Sequence, residues 1–254
     1  MRITYIYHSG FAVETESSLL VFDYWKDPAG AIPELLRSPK PMYVFASHFH
    51  EDHFCREVLE WKTQKTDITY IFSKDILRRH RAAKDEADVW LGTHGHWADK
   101  HVCAIAAGST DSGVSWIVEV DGHIIYHAGD NNNWYARMLT VEHEDDIDGG
   151  IEFPPEIDPM REEKRYLGEL KEIRRYTDHF DVAVFPIDAR IGNGYTRGAR
   201  QFLERFAIKL LVPMHFSACG FKSIRRMKEF TDAAGTDFWC INEEGEKFCP
   251  DFQR

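Results

Sequence analysis

The stretch Ala46-Ser47-His48-Phe49-His50-Glu51-Asp52-His53 gathers three histidines and the carboxylate of Asp52 into a few positions. Neutral imidazoles and carboxylates in one place are the ligands of Zn, Mn or Fe. The run before it, Met42-Tyr43-Val44-Phe45-Ala46, is short, apolar and β-prone, so it reads as a buried strand that delivers the cluster at its carboxyl end. There the alternate side chains His48 and His50 project to one side, while Asp52 and His53 fall in the following turn and reach a second point nearby. Packing explains such a cluster poorly. Each buried polar group left unpaired costs roughly 2–7 kcal/mol.

His48-x-His50-x-Asp52-His53 resembles the metal motif of the metallo-β-lactamase superfamily, and two later segments match that family in order. Tyr126-His127-Ala128-Gly129-Asp130 resembles the strand end that supplies a bridging carboxylate, and Val212-Pro213-Met214-His215-Phe216 resembles the last ligand histidine. Asp23, ending Leu19-Leu20-Val21-Phe22, resembles the family's early aspartate. The resemblance implies a four-layer αββα sandwich, a single domain over residues 1–254 made of two similar halves. It also implies two metal subsites. His48, His50 and Asp130 would hold one cation; Asp52, His53, Asp130 and His215 would hold the other. Zinc is the expected ion, one or two per chain, with Mn or Fe as alternatives. The chemistry implied is hydrolysis by a metal-bound hydroxide, with Asp52 as the catalytic residue that orients it and carries a proton to the leaving group.

One departure stands out. The family's further ligand histidine, just before a turn and a strand, aligns with Ser109 or Thr110, neither a good ligand for such a cation. Two accounts stay open: the first subsite is one ligand short, or one of His94, His96 and His101 folds back to fill it. Asp111 is a further oxygen ligand or an outer acceptor. His8, before Ser9-Gly10, reads as a strand-end histidine with a backbone partner, and His127 as a strand residue supporting the site.

The elements around these residues follow from patterning. Residues 2–7, 11–15 and 19–23 read as antiparallel strands, and Tyr24-Trp25 lead into a loop rich in Gly and Pro up to Pro41. A helix is predicted over 54–62 with Phe54, Val58 and Trp61 on one face, a strand over 68–72, and a helix from 73 to about 83. Residues 114–120 and 123–127 pair around Asp121-Gly122. The acidic segment 142–156 reads as a surface loop. An amphipathic helix is predicted over 160–177, then a buried strand 181–186, a helix 196–207, a strand 209–214, a basic helix 222–234 and a last strand 237–241. The loop after the 181–186 strand carries Asp188, Arg190 and Tyr195, which are candidates for substrate contact or for an Asp–Arg brace.

Composition narrows the function classes. The chain has 254 residues with 43% hydrophobic content, enough for a sizeable core. Its formal charge of −11 repels phosphate backbones, so a small-molecule substrate is expected and nucleic acid is not. Five scattered cysteines with no C-x-x-C pair point to reduced thiols and a cytoplasmic setting. No signal-peptide layout and no long apolar run is seen, so no membrane span is expected. Patterning says nothing of oligomeric state. The function expected is hydrolysis of a small ester, lactone or phosphodiester. The alternatives are a nuclease and a di-iron redox or metal-binding protein. The resemblance disfavours the redox alternative, because His50 stands where those centres carry an extra carboxylate.

Overall fold

A computed structural model describes residues 1–139, 152 and 154–252. Strand β4 (Met42–Ala46) shows how its two layers form. Every side chain in it is buried, and successive ones point to opposite faces. Tyr43 and Phe45 join a core shared with a second sheet, while Met42, Val44 and Ala46 join an outer core under short helices. The same alternation holds in β3 (Leu19–Phe22), where Leu20 and Phe22 face inward and Leu19 and Val21 outward. This is why these runs are continuously apolar: both faces are covered.

The first sheet contains β1 (Arg2–Tyr7), β2 (Gly10–Glu14), β3, β4, β5 (Ile68–Ser73) and β6 (Val89–Leu91) in that order. The second contains β7 (His96–Ala98), β8 (Val102–Ala107), β9 (Ser115–Val120), β10 (His123–His127), β11 (His179–Pro186), β12 (Ala207–Met214) and β13 (Asp237–Phe238). A final strand, β14 (Lys247–Phe248), returns to pair with β1. In each sheet an antiparallel meander passes into a parallel section, β3 to β6 in one and β10 to β13 in the other. Helices α1 (Ile32–Leu36) and α2 (Lys74–Arg78) cover the outside of the first sheet. Helices α3 (Pro159–Ile173), α4 (Arg197–Leu203) and α5 (Met227–Ala234) bury Tyr166, Leu170, Phe202 and Met227 in the core of the second. This is the αββα sandwich, and its parallel sections aim several strands at one edge.

Several predicted elements differ in extent. The segment after the histidine cluster is a 3₁₀ helix, Arg56–Thr63, that still buries Val58 and Trp61. The helix expected to run to about residue 83 stops at Arg78, because His80 takes a left-handed φ of 55°. Helix α3 begins where Asp158 caps the amides of Met160 and Arg161 and Pro159 occupies the first turn, and it ends at Ile173. Chain reversal at residues 204–206 ends α4 early and starts β12 at Ala207. The basic helix over 222–234 is a 3₁₀ turn, Ser223–Arg226, followed by α5, and the strand expected over 237–241 is only the two-residue β13. Strands β6 to β8 and the two-residue β14 were not anticipated. β6 and β7 are only three residues long and β8 is alanine-rich, and all three are stabilised by their sheet neighbours. The acidic loop expected over 142–156 lies outside the described residues except for 152 and 154–156.

Candidate metal centre

Six residues of the candidate site sit within three positions of a strand's carboxyl end: His8 after β1, Asp23 after β3, His48 after β4, Asp130 after β10, Asp188 after β11 and His215 after β12. Parallel sections put these ends on one edge of the sandwich. The backbone turns sharply there. His8, Asp23 and His215 have φ of 54°, 44° and 64°, and Gly129 has φ of 51° just before Asp130. A left-handed non-glycine residue costs of order 1–3 kcal/mol, so three of them at one edge hold side chains in a particular orientation.

Asp130 is the centre of the cluster. Its Oδ2 lies 3.4 Å from His48 Nε2, and its Oδ1 lies 3.1 Å from His53 Nε2 and 3.4 Å from His215 Nε2. On one side, His50 Nδ1 is 3.0 Å from His48 Nε2 and 3.7 Å from Asp111 Oδ2. On the other, Asp52 Oδ2 is 3.3 Å from His8 Nε2, 3.9 Å from His53 Nε2 and 3.7 Å from His215 Nε2. Donors bound at about 2.1 Å to one ion lie ~3.0 Å apart at right angles and ~3.4 Å apart at a tetrahedral angle. Five of the observed spacings fall in that range, and the other three, at 3.7–3.9 Å, lie between it and the ~4.2 Å of opposed donors, with Asp130 facing both clusters.

The outward nitrogens of these rings are fixed from behind. His53 Nδ1 donates to Asp23 Oδ2 at 2.7 Å, His215 Nδ1 to Asp188 Oδ2 at 2.9 Å, and Ser47 Oγ is 2.9 Å from His48 Nδ1. Asp23 also accepts the Ser47 amide at 2.7 Å, so one buried carboxylate braces both ends of the histidine motif. Such outer acceptors select the tautomer and aim the free nitrogen at a metal. The aimed atoms of His53 and Asp130, Nε2 and Oδ1, are buried without a hydrogen-bond partner. Buried polar atoms are rarely left so, and a cation would satisfy them. The donor set therefore fits divalent metal.

Charge in the cluster is strongly coupled. Burial acts to raise the Asp130 pKa, but His53, His215 and His48 outweigh it and hold the carboxyl well below its ordinary range. Burial acts to lower the His53 pKa, yet Asp130 and Asp23 drive it well above that of free imidazole. Asp52 is held low against its own burial by His8 and His53. Burial pushes His8 down to about 4. The carboxylates are thus ionised and ready to take a cation in place of a proton.

The other sequence candidates separate clearly. Thr110 Oγ1 donates to Asn132 O at 2.7 Å and accepts the Asn132 amide, which ties down the loop carrying Asp130. The neighbouring Asp111, rather than Ser109 or Thr110, turns its carboxylate toward His50. His94 lies 3.0 Å from Tyr176 OH, and His96 and His101 sit on β7 and its turn; none of the three joins the cluster. Asp188 lies behind His215, and Arg190 grips it through Nε and Nη2 at 2.6–3.0 Å while lining the cavity. The Asp–Arg brace and a place on the cavity wall thus coexist. Tyr195 donates to Ser223 O at 2.7 Å and is buried rather than lining the cavity. Trp25 packs edge-on against His8, and Tyr24 packs against Trp61. His127 is buried, with Nε2 donating to Ser9 O and its ring flat on Phe22, in the supporting place expected of it. His8 departs from its reading: its ring faces Asp52 rather than a backbone partner. The available sequence signal was only its position one residue past a strand, beside a Ser-Gly turn.

The family model of the beta-lactamase superfamily domain matches residues 2–144. The chain belongs to the beta-lactamase superfamily. Its matched span carries the histidine motif, Asp23 and Asp130. A UPF0173 metal-dependent hydrolase of Opitutus terrae is 26% identical over 241 residues, 86% of each chain. Superfamily membership and this relative agree in making the chain a metal-dependent hydrolase. Two solved structures share the fold. Igni18, a metallo hydrolase of Ignicoccus hospitalis, superposes with a TM-score of 0.63 at 20% identity, over 99% of both chains. The metallo-beta-lactamase fold protein YhfI of Bacillus subtilis superposes with a TM-score of 0.60 at 10% identity, over 97% of this chain and 98% of its own.

Proposed function

We propose that the chain is a single-domain hydrolase of a small ester, lactone or phosphodiester that uses one or two divalent cations, zinc first among them. His48, His50 and Asp130, joined by Asp111, would hold one; Asp52, His53, His215 and Asp130 would hold the other. The observation that carries this reading is the convergence of ring nitrogens and carboxylate oxygens on two points beside an open cavity. When bound, the cations would acidify water and polarise the carbonyl or phosphoryl group.

The chain's own residues divide the remaining work. Asp52, which lines the cavity, would orient the attacking water and return a proton to the leaving group. Arg190 offers positive charge from the wall beside His215, with its direction set by Asp188. Trp134 donates its indole N–H to Asp130 O at 2.8 Å and, with Tyr135, supplies an apolar wall. The cavity bounded by these residues is about 280 Å³, at the small end of ligand sites. That size and the acidic surface support a small substrate over a polymer. All five cysteines are free thiols, which supports a reducing compartment.

The test is a panel of aryl esters, lactones and bis-aryl phosphodiesters assayed beside duplex and single-stranded nucleic acid, with Zn or Mn supplied. Turnover of a small substrate with little nuclease activity is expected. Processive cleavage of RNA or DNA at low enzyme concentration would reverse that order.

A further inference from the structure

The residues that resemble the family's metal motifs leave out His8, yet its ring enters the cluster from the far side. We propose that His8 is a direct ligand, through Nε2, of the cation held by Asp52, His53 and His215. The buried site is then built from three histidines and two carboxylates, with its extra donor taken from the first strand. This rests on reading the cluster as a metal centre.

Three observations carry it. First, the donor atoms of His8, Asp52, His53 and His215 all lie within 4.8 Å of one another, and His8 Nε2 is 3.3 Å from Asp52 Oδ2, the spacing of neighbouring donors in one shell. Second, His8 is 3% exposed and its Nε2 has no well-formed hydrogen bond, while Nδ1 lies 2.7 Å from Ser217 Oγ. With Nδ1–H donating to Ser217, the Nε2 lone pair points at the cluster, the same arrangement by which Asp23 aims His53 and Asp188 aims His215. Third, the backbone is bent to put it there. His8 and His215 both take left-handed φ, the His215 amide donates to His8 O at 3.1 Å, and their rings lie 4.2 Å apart. Two adjoining strained histidines need a shared purpose, and one cation supplies it.

The two sites then differ in chemistry. The His8 site offers three nitrogens and two carboxylates in a buried setting. The other offers His48 and His50 with Asp130 and the half-exposed Asp111. The nitrogen-rich site favours Zn or Co, and the oxygen-richer one exchanges more readily and accepts Mn.

The experiment is titration of metal-free protein with Co(II), read by visible absorption, by hyperfine-shifted exchangeable proton resonances, and by metal retained after dialysis. His8→Gln is expected to remove one shifted N–H resonance and to weaken the tightly held cation at least about 10-fold. Ser217→Ala leaves the ligand in place. It should keep the metal while shifting the His8 N–H resonance and speeding its exchange with water, which tests the assignment even if His8→Gln does not fold. The rival arrangement has His8 donating a hydrogen bond from Nε2 to Asp52. It predicts no lost resonance in His8→Gln and an unmoved one in Ser217→Ala, and that result would overturn the proposal. His53→Ala separates the two levels: if it too retains all its metal, the reading of the metal centre fails, not the role of His8 alone.

Discussion

At the scale of single residues, the carboxylates that touch no cavity matter as much as those that do. Asp188 is fully buried and its pKa stands at about 2: burial raises it, but the His215 and Arg190 hydrogen bonds more than offset this. Its negative charge makes His215 a better donor and holds the ring in place. Asp188→Asn keeps the shape and removes the charge, so metal affinity is expected to fall about 10- to 100-fold while the fold persists. Metal titration followed by circular dichroism checks both halves. Unchanged affinity would show that His215 needs no such support. Glu169 is the opposite case, a carboxyl on α3 whose pKa is raised by burial, only partly countered by Arg165 and His94. A raised carboxyl pKa means the folded state binds the proton more tightly than the unfolded one. Glu169 therefore favours folding below the ordinary carboxyl range and opposes it as pH rises through the folded value. Glu169→Gln should raise the melting temperature near neutral pH, and that advantage should vanish toward about pH 4. A gain that is the same at both pH values would mean that charge is not its cause.

At the scale of elements, the loop over residues 108–114 is the piece most tightly fitted to the site. It carries Thr110 and Asp111 to the cluster and is pinned where the Val114 amide donates to Ser47 O at 3.0 Å. Gly113 makes that approach with φ of 67°, and a Cβ there would run into Ser47 O and His48 Cβ. Gly113→Ala should therefore destabilise the fold by roughly 1–3 kcal/mol and displace His48, lowering the metal bound per folded chain. Gly122, with φ of 75° at the β9–β10 turn and nothing within 4 Å of a Cβ, is the control. Gly122→Ala carries only the backbone term, about 1–2 kcal/mol, with no loss of metal. Paired thermal melts and metal analyses distinguish crowding from strain; equal metal loss in both would point to strain.

At the scale of the molecule, the cluster joins distant parts of the chain. His8 leaves β1, His48 and His53 follow β4, Asp130 follows β10 and His215 follows β12, so a bound cation ties the two sheets together at one edge. A ligand present at about 100 times its Kd adds ~2.7 kcal/mol to stability. Chelation should lower the melting temperature and added Zn should restore it, with a smaller shift in His215→Ala. A melting curve indifferent to chelator would mean that metal is not bound to the folded state. No described helix is long and apolar enough to cross a membrane.

Much of the site was legible without coordinates because its spacing is local. A strand followed by His48-x-His50-x-Asp52-His53 presents its ligands by backbone geometry alone, and Gly129-Asp130 and Met214-His215 are likewise strand ends whose neighbours name them. The layering was legible for the same reason, since continuously apolar runs such as Met42–Ala46 must be covered on both faces. What lay outside that reach depends on contacts between segments far apart in the chain. Nothing near Ser109 reveals that Asp111 and not a loop histidine turns toward His50. Only the packing of β6 to β8 sends His94 to Tyr176 and leaves His96 exposed and His101 half-buried. His8 is the sharpest instance. Its neighbours in sequence describe a strand end at a turn, and its place beside Asp52 and His215 exists only because two sheets pack face to face and align the ends of β1 and β12.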